Sequence, residues 1–274
     1  IERCKIVSQK IKIDSLCVKE YPDQRTTKPH QLPLYATSSF VFEDAEEGID
    51  IFTGKKQGHS YSRYGNPTID TVAQKLADVE AFGTGLDAYG FLTSSGMSAI
   101  SILMISLLKQ GDTVLTQSDL YGGTTELLLK VLSNAGIKVI FTDLNNTDAV
   151  EQHCLNDRSI KLIYFETPAN PTMKCIDIHS ISKIAKKYGA FTCVDNTFCT
   201  PLIQQPLSLG IDFVIHSTTK YLNGHGNSIA GIIIGHEEKI KHKIWTTLKL
   251  MGATCNAWDA LLINNGLKTL SLRM

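Results

Sequence analysis

The sequence predicts an α/β domain built on a mainly parallel, seven-stranded sheet sandwiched by helices. Two observations carry that prediction. Seven short apolar runs have the length and composition of strands, and helical patterns separate most of them. Continuous apolar runs suit strands buried on both faces, and a helix between two strands is the crossover that parallel pairing requires.

Residues 1–60 come first and lack a clear period. They carry Pro22, Pro29 and Pro33 among scattered charges, and read as an irregular arm. Such an arm has to lie against its own domain or a neighbouring subunit. Regular structure starts at Asn66-Pro67, a good N-cap followed by a residue suited to the first helical position. Ile69, Val72, Leu76 and Val79 then recur at helical spacing. The strand runs are Ala88–Thr93, Thr113–Gln117, Lys138–Asp143, Lys161–Thr167, Phe191–Asn196, Asp212–Ser217 and Ile229–Gly235. Helical patterns cover Ser98–Lys109, Thr124–Ala135, Thr147–Leu155 and Ile178–Tyr188. Gln110-Gly111-Asp112, Asn134-Ala135-Gly136 and Tyr188-Gly189 mark turns. Trp258, Leu261, Leu262 and Leu270 form a last helical pattern. It stops uncapped at Leu272-Arg273-Met274, which reads as a piece of a longer protein.

A chain of 274 residues fits one large domain, with or without an appendage. Lys and Arg number 27, and so do Asp and Glu, so no basic excess points to nucleic acid or a membrane surface. The longest apolar tract, near Ile100–Leu108, is about half of a membrane span. The start at Ile1-Glu2-Arg3 has no apolar signal core. Seven cysteines, an odd number without a Cys-x-x-Cys pair, indicate neither a disulfide framework nor a metal centre. Cys193, inside an apolar run, reads as a small buried hydrophobe. These features together predict a cytoplasmic protein.

Ligands of such sheets bind beyond the carboxyl ends of the strands. Four strand ends carry suitable chemistry. Thr93-Ser94-Ser95-Gly96-Met97 opens a helix, whose first N–H groups suit an anion. Asn170 stands between Pro168 and Pro171, where its amide can meet a ligand oxygen. Asp195 ends an apolar strand, where a carboxylate needs a cation or several hydrogen bonds. Ser217-Thr218-Thr219-Lys220 offers hydroxyls for a phosphate and an amine for an aldehyde. Each alone is more often an ordinary turn, cap or surface lysine. Together, at one sheet edge, they meet the needs of pyridoxal 5'-phosphate.

The sequence also resembles the pyridoxal-phosphate enzymes of cysteine and methionine metabolism. That family includes cystathionine γ-synthase, the cystathionine lyases, methionine γ-lyase and the O-acylhomoserine sulfhydrylases. The resemblance runs from about Leu34 to the end. It is carried by Tyr61-Ser62-Arg63-Tyr64-Gly65-Asn66-Pro67-Thr68, Ser95-Gly96-Met97, Leu120-Tyr121-Gly122-Gly123-Thr124, Glu166-Thr167-Pro168-Ala169-Asn170-Pro171, Val194-Asp195-Asn196-Thr197 and Ser217-Thr218-Thr219-Lys220-Tyr221. It implies the aspartate-aminotransferase-like fold of pyridoxal-phosphate-dependent transferases. It also implies a Schiff base on Lys220, with Lys220 then acting as acid–base. Tyr121 would stack on the ring and join Lys220 as a catalytic residue. Asp195 would meet the ring nitrogen and Asn170 the phenolic oxygen. Gly96, Met97, Ser217 and Thr219 would hold the phosphate. Tyr61 and Arg63 would reach the phosphate of a neighbouring subunit, in a homodimer with shared sites and a homotetramer overall.

The resemblance divides the chain into an arm at 1–60, a cofactor-binding large domain at 61–268 and the start of a truncated C-terminal domain at 269–274. The implied activity is elimination or replacement at the β or γ carbon of a sulfur amino acid, with a cystathionine γ-lyase-like reaction first and γ-replacement second. Two positions depart from the family. Asn227 stands where relatives often have Asp, and Gly123 stands where methionine γ-lyases usually carry Cys. The relatives' carboxylate-binding arginine is not matched by Arg273. A non-catalytic cofactor-binding fragment is the rival from another class. A nucleotide-binding domain is disfavoured, because no Gly-x-Gly-x-x-Gly follows the first strand and no P-loop motif occurs.

Overall fold

The structure, a computed structural model, describes residues 12–19 and 29–274. The parts of the arm at 1–11 and 20–28, with Cys4 and Pro22, lie outside the described residues. All seven expected strands are present: β1 (Tyr89–Thr93), β2 (Thr113–Thr116), β3 (Lys138–Phe141), β4 (Ile160–Glu166), β5 (Phe191–Asp195), β6 (Phe213–His216) and β7 (Gly231–Gly235). They form one sheet in the order β1-β7-β6-β5-β4-β2-β3. Every pairing among β2 to β6 is parallel, whereas β7 runs antiparallel to β6 and β1. The β6–β7 connection contains no helix, and without a helical crossover the chain turns straight back.

The described helices of six or more residues are α1 (Ile13–Val18), α2 (Ala45–Phe52), α3 (Pro67–Glu80), α4 (Gly96–Leu107), α6 (Thr147–Asn156), α7 (Ile178–Tyr188), α9 (Glu238–Met251) and α10 (Ala257–Leu267). Shorter ones are α5 (Gly122–Glu126), α8 (Thr200–Ile203) and α11 (Leu270–Arg273). Their starts follow local chemistry. The Asn66 side chain accepts from the N–H of Thr68 with Pro67 behind it, and Ser95 accepts from Ser98. Gly189 and Gly252 end α7 and α9 in the left-handed conformation.

Three expectations change. The arm is not wholly irregular, since α1 and α2 lie within it. The signal for α2 was Asp44-x-x-Glu47, in which Asp44 accepts from the N–H of Glu47 at 2.8 Å and Glu47 accepts from that of Glu43 at 2.5 Å. Helix α9 was missed, although Ile240, Ile244 and Leu248 recur every fourth residue along a charged helix. The pattern at Thr124–Ala135 divides into α5 and a π-helical turn, Leu127–Leu132.

The sheet separates two apolar layers. Ile163, Phe165, Val194 and Val214 face α3, α6, α7 and α10. Leu162, Tyr164, Cys193, Phe213 and Ile215 face α4, the π-helical turn and α9. Leu16 and Cys17 of α1 and Leu270 of α11 are buried in the first layer, so both lie against the chain's own body. Helix α3 sits close on β1: a Cβ added at Gly90 would stand 2.4 Å from the carbonyl oxygen of Ala73. Gly90→Ala is therefore expected to cost about 1–3 kcal/mol in urea denaturation, as overpacking does. An unchanged midpoint would contradict this close approach.

Candidate functional site

The carboxyl ends of β4, β5 and β6 meet the start of α4 and the loop before α5. Side chains alternate along a strand, so Glu166 and Asp195 follow Tyr164 and Cys193 onto the α4 face. The two carboxylates are also direct neighbours, because Glu166 pairs with Asp195 in the parallel register.

A chain of contacts links most of the predicted residues. The N–H of Tyr121 donates to both carboxylate oxygens of Glu166, at 2.9 and 3.1 Å, and that of Asn170 donates to one of them at 3.4 Å. Asp195 accepts from the N–H of Thr197 at 3.0 Å and from the Tyr164 hydroxyl at 3.4 Å. Thr197 in turn accepts from the N–H of Ser217 at 2.8 Å. Ser217 lies against the α4 start, where a Cβ added at Gly96 would stand 2.8 Å from that of Ser217. Met97 and Tyr121 converge on Gly123, whose added Cβ would lie 3.3 Å from the Met97 sulfur and 2.7 Å from the Tyr121 ring. Thr219 exchanges hydrogen bonds with the backbone of Ala230, with its hydroxyl donating to the carbonyl oxygen at 3.1 Å.

Lys220 departs from expectation. It is exposed, so the described residues do not desolvate its amine. Its side chain makes no hydrogen bond or ion pair among them. Tyr61 and Arg63 also stand apart. Arg63 donates to the carbonyl of Lys249 at 2.6 Å and lies over the Tyr61 and Tyr64 rings. It borders a cleft of about 240 Å³ between α3, β1 and α9, lined also by Leu92 and Thr254. Arg273 is committed to the carbonyls of Tyr221 and Gly266, at 2.7 and 2.8 Å. Asn227 accepts from the side chain of Asn223 at 2.9 Å.

Sequence reasoning gave no role to Glu166 or Thr197, although both stand in the quoted motifs. The available signal for Glu166 was a carboxylate ending an apolar strand, the same signal that singled out Asp195. Sequence reasoning also named no metal ligands. Among the described residues, Asp212, His236 and Glu237 bring ligand atoms within 4.8 Å of one another. They lie at the opposite end of β6, and Asp212 already accepts from the N–H and hydroxyl of Thr192.

The electrostatics are those of uncompensated negative charge. Burial pushes the Asp195 carboxyl up, against the hydrogen bonds from Thr197 that hold it down. Burial, and then Asp195 beside it, push Glu166 up to about 7. No cationic side chain pairs with either among the described residues. A protonated ring nitrogen would supply that missing partner to Asp195. The α4 start fits a phosphate: the N–H groups of Gly96 and Met97 donate to no group among the described residues, and glycine leaves them approachable. The residues present therefore fit pyridoxal phosphate.

Residues 14–274 match the profile of the Cys/Met metabolism PLP-dependent enzyme family, PLP being pyridoxal phosphate. An L-methionine γ-lyase of Pseudomonas putida is 42% identical over 88% of this chain and 59% of its own length. An O-succinylhomoserine sulfhydrylase of Pseudomonas aeruginosa is 38% identical over 95% of this chain and 63% of its own. The chain thus spans about three fifths of these curated relatives. A crystal structure of cystathionine γ-lyase from Lactobacillus plantarum superposes with a TM-score of 0.86 at 32% identity, covering 96% of this chain and 65% of that one. A structure of an O-acetylhomoserine (thiol)-lyase, so described, from Campylobacter jejuni has a TM-score of 0.88 at 29% identity, over 96% of this chain and 71% of its own, and carries a pyridoxyl-lysine monophosphate.

The raised carboxyl of Glu166 has a definite sign in stability. A group that holds its proton more tightly when folded contributes most below its ordinary value of 4.5, and that contribution is lost as pH rises to about 7. Cofactor-free protein is expected to lose stability relative to its Glu166→Gln variant between about pH 5 and about pH 8. A difference in denaturation midpoints that stays constant over that range would contradict this.

Proposed function

We propose, from the premise that the chain belongs to the Cys/Met metabolism PLP-dependent enzyme family, that its protein breaks or exchanges a bond at the β or γ carbon of a sulfur amino acid. Carbon–sulfur lysis of a cystathionine-like substrate is the leading reaction. The observation that carries the proposal is the convergence of an anion-binding helix start, an unpaired acid and an exposed lysine on one sheet edge.

When bound, pyridoxal phosphate supplies an aldehyde that condenses with amines and a ring that takes up the electron pair of a broken Cα–H bond. Gly96 and Met97 would bind the phosphate through their N–H groups, and Ser217 and Thr219 through their hydroxyls. Thr219 would first have to turn its hydroxyl from Ala230. Asp195 would keep the ring nitrogen protonated. The Asn170 amide would hold the phenolic oxygen, and the Tyr121 ring would cover the ring face. The Lys220 amine, exposed and unengaged, is free to hold the aldehyde carbon and then to move the Cα proton at Nζ.

The same residues serve lysis and replacement, because both begin with loss of that proton. The relative named O-succinylhomoserine sulfhydrylase supports γ-replacement as a second reading. A methionine-specific lyase is disfavoured, because Gly123 stands where methionine γ-lyases usually carry Cys. That holds beside the relative named L-methionine γ-lyase.

The proposal includes a large cofactor-binding domain at 61–268, an arm before it and the start of a further domain at 269–274. It includes a homodimer, and from it a homotetramer, in which Tyr61 and Arg63 serve the neighbour's phosphate. That Arg63 donates to the Lys249 carbonyl and to none of the other site residues is compatible with that assignment. It also places the protein in the cytoplasm. Six described cysteines are free, and no helix among the described residues is long and apolar enough to cross a membrane.

Borohydride treatment of purified protein is expected to fix the cofactor to the one peptide that contains Lys220. Assay against cystathionine, homocysteine, methionine and an O-acylhomoserine with thiol is expected to give 2-oxobutyrate from cystathionine. A label elsewhere would overturn the site. Pyruvate as the sole keto acid would point to β-elimination, a thioether product to replacement, and bound cofactor without turnover to a non-catalytic role.

A further inference from the structure

We propose that Glu166 is a positioning residue that holds the two ring-contacting loops, at Tyr121 and Asn170, in one fixed relation to Asp195. The proposal rests on the cofactor reading above for the identity of what these loops contact.

Glu166 is 5% exposed. Its carboxylate is spent on main-chain groups: the N–H of Tyr121 on both oxygens and that of Asn170 on one. These N–H groups belong to the residue assigned to the ring face and the residue assigned to its phenolic oxygen. The segments that carry them are far apart in sequence, one opening α5 and the other following β4. Glu166 ties them together at these two residues, and the Lys174–Asp119 ion pair at 2.7 Å joins the same loops further out.

Glu166 itself cannot drift. Its N–H donates to the side-chain oxygen of Gln117 at 3.2 Å, and its carbonyl accepts from the Gln117 amide at 3.1 Å. The same Gln117 nitrogen donates to the carbonyl of Asp119 at 2.6 Å, which fixes the approach to Tyr121. The parallel register then places Asp195 beside Glu166 on the next strand.

A neutral amide would take this role less well. Both N–H groups fall on one oxygen and that of Tyr121 also reaches the other, so a glutamine oxygen could accept from both while its NH₂ would oppose the Tyr121 N–H at the second position. A carboxylate meets both, at the cost of burying charge beside Asp195. That cost has a compensation. A cation placed at Asp195 stabilises both acids, so the charge that fixes the loops also favours a protonated ring between them.

The test compares wild-type protein with Glu166→Gln and Glu166→Asp. The amide of Tyr121 is expected to exchange hydrogen roughly tenfold faster in Glu166→Gln without cofactor. The visible circular dichroism of bound cofactor, which reports how rigidly the ring is held, is expected to fall severalfold. Glu166→Asp keeps the charge but shortens the reach, and is expected to fall between the two. If Glu166→Gln does not fold, Glu166→Asp carries the test, and dichroism and exchange equal to wild type in a folded variant overturn the proposal. Wild-type protein that binds no cofactor would sink the functional reading and the ring clause with it. The exchange rate at Tyr121 would still decide whether Glu166 holds the loop.

Discussion

Two carboxylates end neighbouring parallel strands with no cationic side chain among the described residues to pair with either, and the site is arranged around that fact. Charge of one sign, partly removed from water, raises the free energy of the folded chain unless it is protonated or matched. Glu166 is held by main-chain donors on one side and Asp195 by Thr197 and Tyr164 on the other. Both solutions are incomplete, and the deficit is a positive charge at Asp195. The sheet makes the deficit possible. Its two apolar layers flank the strands, and the parallel register sets the acids side by side.

The same geometry accounts for the phosphate end. Thr197 connects Asp195 to Ser217, and Ser217 touches the helix start at Gly96. A ligand with an anionic group at one end and a cationic ring nitrogen at the other meets complementary charge at both. Lys220 follows Ser217 by three residues and is exposed, so the described residues leave its amine in water. Arg63, over the Tyr61 ring, borders the cleft between α3, β1 and α9.

Much of this was legible in the sequence. The strands were found within a residue or two because each is a continuous apolar run closed by turn residues. The end of β5 singled out Asp195 by its unlikely chemistry. What stayed hidden were relations between segments. The direction of β7 depends on the helix-free link from β6, and no feature of Gly231–Gly235 itself reveals it. Helix α2 is too short for a period, so its capping residues were the only mark. Glu166 was quoted in a motif yet unexplained, because its partners at Tyr121 and Asp195 come from segments that only the fold makes neighbours. The exposure of Lys220 was equally invisible, since it depends on what covers the strand ends.

The charge deficit at Asp195 is tested most directly by titrating cofactor-free wild-type and Asp195→Asn proteins with pyridoxal phosphate while following visible absorption. An ionic hydrogen bond is worth about 1.5–3 kcal/mol, so Asp195→Asn is expected to bind at least about tenfold more weakly. Its absorption band is also expected to shift, because Asn cannot keep the ring nitrogen protonated. Equal affinity with an unshifted band would contradict the account.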